Sequence, residues 1–595
     1  MKKLKIFFLF IIVWVSQLLT LTAQVMPEYY GDIKFGKYTV GFKSICVFDT
    51  ARKYDLSCGD SSIFLKNKEL GRPILINMWY PAIKTNISAL KIKDFFDFPT
   101  SESTKVFFKI LNDFQYKNSK LYAVDQNIRK NDFHLLEDTS HTEWNRKRKE
   151  IFESYINSPT ISHRNAKLIE GDFPIIIYHQ GLGGTIDENF LLLEYLASNG
   201  YIVINSAFQE ADGSRYDDGW DTGVGDYEAT FSDFNFIINY CKKNNISKSN
   251  QVLLSGHSYG ANCAITYIGE GNQNVVGLIP LDSDYGYVLK NFFPKRYNPF
   301  VNQKIKFYDG LPMFCAGRSE AHYRMLDSLS NSKRYFLTIS EMTHNDFTSQ
   351  GAIGKYFCKK YVIDKKRYEN VHHNYLNMCS TILTFVDSYT KGDKIIEKKD
   401  ITPHSGWKLE VSDKGEKSSL NAPFDESKNS CPSISQYIDI INTQGINRMK
   451  VLYSMCNDTS MKSKVVSDIF DFLYENGDSL NIIPYLDMMH EIGEAEKNLY
   501  NIYYTVYHFS FIDSGNGYNH KKAKPIYQWL IKKYPNKKEG YLGMALYAMA
   551  TGEGDTDYFC KRVIETDPNY LNTTTSSFWD NYNREKIKKY LQKTH

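Results

Sequence analysis

Between Pro174 and Ile339 short apolar runs alternate with longer stretches of helical spacing. The runs are PIIIYH (174–179), YIVINSA (201–207), QVLLS (251–255), VVGLIPL (275–281), PMFCA (312–316) and YFLTI (335–339). Apolar runs without polar alternation imply strands covered on both faces. Helical spacing fills 188–199, 226–243 and 261–268, and a further helix over 373–390 closes the series. This alternation predicts an α/β fold, a doubly wound and mostly parallel sheet with helices on both faces. Two more strands are expected upstream, in YTVGFKSICVF (38–48) and ILINMW (74–79). The intervening 83–171 is rich in lysine and asparagine, with helical patches such as 105–114. It is too long for an ordinary connection, so it reads either as a cap over a site or as a solvated insertion.

The pattern changes after Lys391. Residues 391–430 are polar, with Pro403, Pro423 and several serines, which predicts a linker over 396–435. From 436 to 595 the spacing is helical. WLIKKYPN (529–536) and RVIETDPN (562–569) match in shape, and Pro535 and Pro568 stand 33 residues apart. That period is close to the tetratricopeptide one; a generic all-α domain is the alternative. A chain of 595 residues exceeds one ordinary core. The expected organisation is a leader over 1–23, an α/β unit over 24–395 with its insertion, and a helical unit over 436–595.

The leader follows from Met1-Lys2-Lys3-Leu4-Lys5, an apolar stretch from Ile6 to Leu21, and the small-residue site Thr22-Ala23-Gln24. This is the pattern of a secretory signal peptide, and an uncleaved anchor is the alternative. The protein is therefore expected to be exported, to a periplasm or beyond. Removing the leader takes three lysines and no acids, and the formal charge falls from +4 to +1. Near-neutrality argues against nucleic acid as a partner. The ten cysteines are irregularly spaced, with no C-x-x-C pair, so neither a zinc site nor a redox site is expected. Cys46 and Cys58 are the closest pair in sequence, while Cys263 and Cys315 fall in core elements and read as buried thiols.

The candidate chemistry centres on Gly256-His257-Ser258-Tyr259-Gly260, which lies between the QVLLS strand and the ANCAITYI helix. Strand, tight turn and helix are the context a nucleophile elbow requires, with small flanking residues so that the turn closes. A serine hydroxyl attacks usefully only when a base takes its proton. His344, just past the last predicted strand, is the best placed; His322, His372 and His373 compete. For the acid that orients the base, position alone leaves Asp282, Asp284 and Glu320 open, because each follows a strand end. Asp212, Asp217, Asp218, Asp221 and Asp226 form an acidic cluster that reads more simply as a solvated loop than as a cation site. His490-Glu491 lacks the second histidine of a zinc-protease motif, and no Walker loop or dinucleotide fingerprint is present.

GHSYG, the Leu281-Asp282 pair and His344 with Asp346 and Phe347 behind it resemble the plasma-type platelet-activating factor acetylhydrolases. So do GKYTVGFK (36–43), WYPA (79–82) and HQGLGG (179–184). More broadly the chain is similar to dienelactone-hydrolase-like esterases of the α/β-hydrolase superfamily. The likeness covers about 36–390 and does not reach the C-terminal third. It implies that the acid follows the strand after the elbow helix, which selects Asp282 over Glu320, with Asp284 kept as an alternative. It also implies an oxyanion hole from the backbone N–H groups of Leu182 and Tyr259. Gln180 is additional to the family's usual His-Gly-Leu-Gly turn.

Together these features lead to the expectation of a secreted serine esterase acting through an acyl-enzyme on a small-acyl or lipid-like ester, without metal or cofactor. A peptidase or an esterase of plant-wall or polymer esters would use the same triad. A binding protein with a vestigial hydrolase unit is the third reading. In each, the C-terminal helices are free to contact a membrane surface or a protein.

Overall fold

The computed structural model describes residues 26–52, 71–98, 100–101, 105–120, 141–206, 224–269, 274–283, 310–318, 331–358, 365–392, 404, 406–414, 424–426, 431–432, 434–456, 462–475, 481–507, 510, 520–572 and 578–594. Among the described residues ten strands form one sheet: β1 (Thr39–Asp49), β2 (Arg72–Ala82), β3 (Ser162–Arg164), β4 (Ile175–His179), β5 (Ile202–Asn205), β6 (Val252–His257), β7 (Gly277–Leu281), β8 (Met313–Gly317), β9 (Arg334–Ile339) and β10 (Trp407–Ser412). Their spatial order is β10-β9-β8-β7-β6-β4-β5-β2-β1-β3. The run from β5 to β9 is parallel throughout, while β1 with β2, β2 with β5 and β9 with β10 are antiparallel.

Seven helices accompany the sheet among the described residues: α1 (Lys105–Lys120), α2 (His141–Ile156), α3 (Phe190–Ser198), α4 (Val224–Lys243), α5 (Tyr259–Gly269), α6 (Gln350–Cys358) and α7 (Lys365–Thr390). Strands β4 and β6 to β9 are buried along their whole length. Their side chains divide by parity. Ile176, Tyr178, Leu253 and Phe314 join a core with α3 and α7. Ile175, Ile177, Leu254 and Cys315 join another with α4 and α5. This two-sided burial is why these strands lack polar alternation.

The described part of the segment expected as a cap or solvated insertion packs into the core. Phe95, Phe96, Phe108, Leu111, Phe152 and Tyr155 belong to the same core as α3 and α7. It also supplies edge strand β3, which pairs in parallel with β1 through Val40 and Ser162.

The α/β unit extends past the expected boundary at 395. Within the stretch expected as linker, β10 pairs antiparallel with β9, from Trp407 opposite Ile339 to Ser412 opposite Arg334. Trp407, Leu409 and Val411 alternate with polar residues and pack against the sheet core. The strand covers backbone groups that β9 would otherwise present as an open edge. Helix α6 was likewise not predicted from the sequence.

Beyond the sheet lie α8 (Ile434–Gln444), α9 (Ile446–Met455), α10 (Lys462–Glu475), α11 (Ile482–Glu491), α12 (Leu499–Tyr507), α13 (His520–Lys533), α14 (Lys538–Thr551), α15 (Thr556–Thr566) and α16 (Phe578–Thr594). They enclose a separate core rich in tyrosine, leucine, isoleucine and methionine. Pro535 sits in the turn between α13 and α14, and Pro568 follows α15. Gly543 lets α13 and α14 approach closely: a Cβ there would stand 2.2 Å from the Tyr527 ring. A disulfide joins Cys431 to Cys456, a pair the sequence did not single out. Cys263 and Cys315 are buried thiols, as expected. Of the other pair considered, Cys46 is a half-buried thiol pushed up to about 12 by burial, and Cys58 lies outside the described residues.

Candidate active site

The order of the strands places a switch point between β4 and β6, since the chain moves outward from β4 to β5 and then crosses back to β6. Loops leaving the carboxyl ends of strands at such a point form a crevice. Here they carry the 180–184 turn after β4, Ser258 after β6, Asp282 after β7, Arg318 after β8 and His344 after β9.

Ser258 stands between the last residue of β6 and the first of α5, with φ at 53°. A left-handed serine is sterically disfavoured and persists only where its surroundings fix it. Its N–H donates to the Leu281 carbonyl at 2.9 Å, and its own carbonyl accepts the Asn262 N–H at 3.1 Å. The flanking glycines are required by contact. A Cβ on Gly256 would lie 2.5 Å from the Gly260 backbone, and one on Gly260 would lie 2.1 Å from the His179 carbonyl oxygen. Neither gap admits a side chain.

His344 bridges Ser258 and Asp282. Its Nε2 lies 2.9 Å from Ser258 Oγ and its Nδ1 lies 2.6 Å from Asp282 Oδ2. A carboxylate only accepts, so Nδ1 carries the proton and Nε2 faces the hydroxyl as an acceptor. Burial, followed by the nearby His257, brings the His344 pKa down to about 4 despite the aspartate. The imidazole is therefore neutral at pH 7. Asp282 is 2 % exposed and also left-handed, at φ 38°. Its N–H donates to the Ala316 carbonyl at 2.7 Å, its Oδ1 accepts the Arg318 N–H at 2.9 Å, and the Arg318 Nε stands 3.1 Å from Oδ2. Burial opposes the Arg318 charge, but Asp282, then Asp468 and Asp471 of α10, outweigh it and raise its pKa. The helical region thus reaches the rim of this site.

The glycine turn sits directly against Ser258: a Cβ on Gly181 would be 3.4 Å from Ser258 Cβ and 3.0 Å from His257 Nδ1. Gly183 has φ 66°, and the Gly184 N–H closes the turn onto the Gly181 carbonyl at 2.9 Å. The additional Gln180 is buried and accepts from His179 Nδ1–H through its carbonyl at 2.6 Å. Helix α1 pins the turn from outside. Asn118 Nδ2 donates to the Gly183 carbonyl at 2.9 Å, Gln115 Oε1 accepts the Ile186 N–H at 2.7 Å, and Ser119 donates to Asp187 at 2.7 Å. Leu182 lies in this turn, and Tyr259 opens α5 beside Ser258. Both are half-buried.

The structure therefore brings together Ser258, Asp282 and His344, with Leu182 and Tyr259 in the adjoining backbone. Glu320, Asp284 and His322 lie outside the described residues, as do Asp212, Asp217, Asp218 and Asp221 and the side chain of Asp226. His372 is held elsewhere, its Nε2–H donating to the Tyr29 carbonyl at 3.0 Å, and His373 packs edge-on against His404. His490 meets the Tyr534 hydroxyl on the helical region at 2.7 Å. Arg318, Glu188, His257 and the α1 residues Gln115 and Asn118 were not foreseen. His257 lies inside the elbow motif but at its variable position, no local motif marks the others, and only the position of Arg318 at a strand's carboxyl end offered a signal.

No family model and no curated relative matches the chain. Among solved structures it is similar to a ferulic acid esterase from Streptomyces cinnamoneus, at 15% identity and TM-score 0.39, over 65% of this chain and 98% of that one. It is also similar to the acylaminoacyl peptidase of Pyrococcus horikoshii in its orthorhombic crystal form, at 12% identity and TM-score 0.28, over 39% of each chain. Superpositions this loose carry no argument about chemistry. The parallel run of strands, the elbow at the switch point and the ordered serine, aspartate and histidine are those of the α/β-hydrolase fold, followed here by an all-α region.

Proposed function

We propose that the protein is a serine hydrolase that opens a carboxylic ester through an acyl-enzyme. The observation that carries this reading is the bridging imidazole, 2.9 Å from Ser258 Oγ and 2.6 Å from Asp282 Oδ2. Ser258 Oγ attacks the ester carbonyl as His344 Nε2 takes its proton. Asp282, held by Arg318, keeps the imidazole oriented and balances the imidazolium as it forms. The negative charge on the carbonyl oxygen falls to the N–H groups of Tyr259 and Leu182, whose dipoles are fixed by α5 and by the pinned turn. His344 then returns the proton to the leaving alcohol. Water, deprotonated by the same imidazole, releases the acid and restores Ser258. No cofactor is needed for any step.

The likeness of residues 36–390 to platelet-activating factor acetylhydrolases supports a small-acyl or lipid-like ester as substrate. The leader pattern of residues 1–23 and the Cys431–Cys456 disulfide support export, because such bonds persist in oxidising compartments. Ser258→Ala should lower hydrolysis of para-nitrophenyl acetate by about a million-fold and abolish fluorophosphonate labelling, with unfolding unchanged. Retained labelling would remove Ser258 from the role. Among phospholipid, aryl, polymer and peptide substrates, short-chain esters should turn over fastest; cleavage of peptides alone would make it a peptidase.

A further inference from the structure

Two buried side chains that touch no reacting atom link the three loops of the site. Glu188 is 5 % exposed and His257 3 %. Both carboxylate oxygens of Glu188 lie 3.1 Å from the Gly181 nitrogen and accept its N–H, and the Tyr178 hydroxyl donates to Oε2 at 2.9 Å. The backbone carbonyl of Glu188 accepts the N–H of Ser349, in the loop that carries His344, at 3.0 Å. His257 Nδ1 faces Glu188 Oε1 at 3.5 Å, and its Nε2–H donates to the His344 carbonyl at 2.9 Å.

Each nitrogen of His257 thus faces an oxygen that only accepts. A neutral imidazole has one N–H, which the His344 carbonyl takes, leaving a buried Nδ1 lone pair with no hydrogen-bond donor and aimed at the Glu188 carboxylate 3.5 Å away; the imidazolium instead turns an N–H toward that carboxylate, an ion pair at a separation long for a hydrogen bond. It also supplies the counter-charge that a buried carboxylate needs, since an uncompensated ion in such a place is strongly destabilising. We propose that Glu188 and an imidazolium His257 form a positioning pair that ties the glycine turn to the base loop around Ser258. The inference rests on the triad reading above.

The titratable groups facing His257 come from every side: Glu188 beyond the turn, the neutral His344 on the base loop and Asp282 after β7. Burial alone would lower the His257 pKa, but the bond and charge of Glu188, then Asp282, outweigh it and the net shift is upward. The His344 ring lies 4.5 Å from that of His257, centroid to centroid. A cation there makes protonation of His344 harder, and Arg318 acts in the same direction. The pair therefore keeps the base unprotonated into acid solution. Removing the His257 charge raises the His344 pKa and moves the acid limb of reactivity to higher pH.

The test measures fluorophosphonate labelling rates of the full chain from pH 4 to 9, with thermal unfolding alongside, for wild type, His257→Gln and Glu188→Gln. Both variants should shift the acid midpoint upward by about one unit. They should also lower the plateau on the order of ten- to a hundred-fold through misplacement of the turn. A wild type that does not label, or that labels equally after Ser258→Ala, defeats the triad reading itself. Normal wild-type labelling with an unmoved midpoint in folded variants overturns the pair alone. Should the variants fail to fold, nitrogen NMR of the histidine-labelled wild type decides. Two protonated nitrogens on His257 at pH 7 support the proposal, and a single N–H overturns it.

Discussion

The α/β region and the helical region bury different things. Around the sheet, Asp187, Glu188, Glu194, Asp233 and Asp282 are each no more than 5 % exposed. Among the described residues of 434–594 the most buried carboxylate is Glu494, at 9 %. There the charges pair on the surface, as in Lys450 with Glu491 and Lys561 with Asp557. Backbone strain divides the same way: the described non-glycine residues with positive φ are Asn165, Asn245, Ser258 and Asp282, all in the α/β region. Asparagine tolerates that conformation, whereas serine does so rarely. Buried acids and a strained serine oppose stability, so packing alone would not select them. Each buried acid is accounted for by its partners. Asp233 is paired with Arg72, and Asp187 and Glu194 hold the hydroxyls of Tyr155 and Ser162 in the insertion. Glu188 accepts the Gly181 N–H beside Ser258, and Asp282 faces His344 Nδ1.

After Ser258 itself, the largest effect expected from breaking this contrast is at Asp282. Asp282→Asn preserves shape but loses the charge and the acceptor that fix the His344 tautomer, and hydrolysis should fall about ten-thousand-fold. Glu320→Gln should leave the rate near that of wild type. Steady-state kinetics on both variants checks the assignment, and the reverse outcome would transfer the acid to Glu320.

An intermediate effect is expected in the helical region, on stability instead of rate. Gly543→Ala places a methyl 2.2 Å from the ring of Tyr527, which is fully buried. The helices α13 and α14 must separate or the ring must turn, at a cost of about 1–3 kcal/mol. Calorimetry should show a lowered transition, with turnover per folded molecule unchanged. A matching loss of turnover would mean that helical packing sets the geometry around Arg318, through Asp468 and Asp471.

The elements legible in the sequence were those whose signal is local. The six parallel strands announced themselves as apolar runs because both faces are covered, and the elbow because two glycines must flank Ser258. His344 followed from its place after the last parallel strand, whereas Asp282 needed the family likeness, since strand ends alone do not rank three acids. What escaped was long-range. WKLEVS lies in a polar stretch, and its alternation acquires meaning only from the exposed edge of β9. Glu188 and His257 looked like ordinary polar residues, because their role comes from two loops 69 positions apart in sequence meeting at the switch point. The insertion's hold on the glycine turn depends on Gln115, Asn118 and Ser119 lining one side of α1. The Cys431–Cys456 bond was equally silent, as ten irregular cysteines give no pairing.

The smallest effect sharpens the contrast most directly, because it compares one kind of contact in both regions. Lys450 and Glu491 form an ion pair with side chains 39 % and 58 % exposed. Water screens both charges in the folded and unfolded states, and two long side chains must be ordered to meet. A double-mutant cycle on Lys450→Ala and Glu491→Ala, read by denaturant unfolding, should therefore give a coupling of about 0.2–1 kcal/mol that shrinks further in salt. Ester hydrolysis should not change. The same cycle on Glu188→Gln and His257→Gln should give a larger coupling that salt barely alters, because neither charge meets solvent and removing one strands the other. Equal couplings would mean that the Glu188–His257 contact is no more than a surface-grade pair that happens to lie deep. A strong, salt-resistant coupling at Lys450 would instead place a functional ion pair in the helical region.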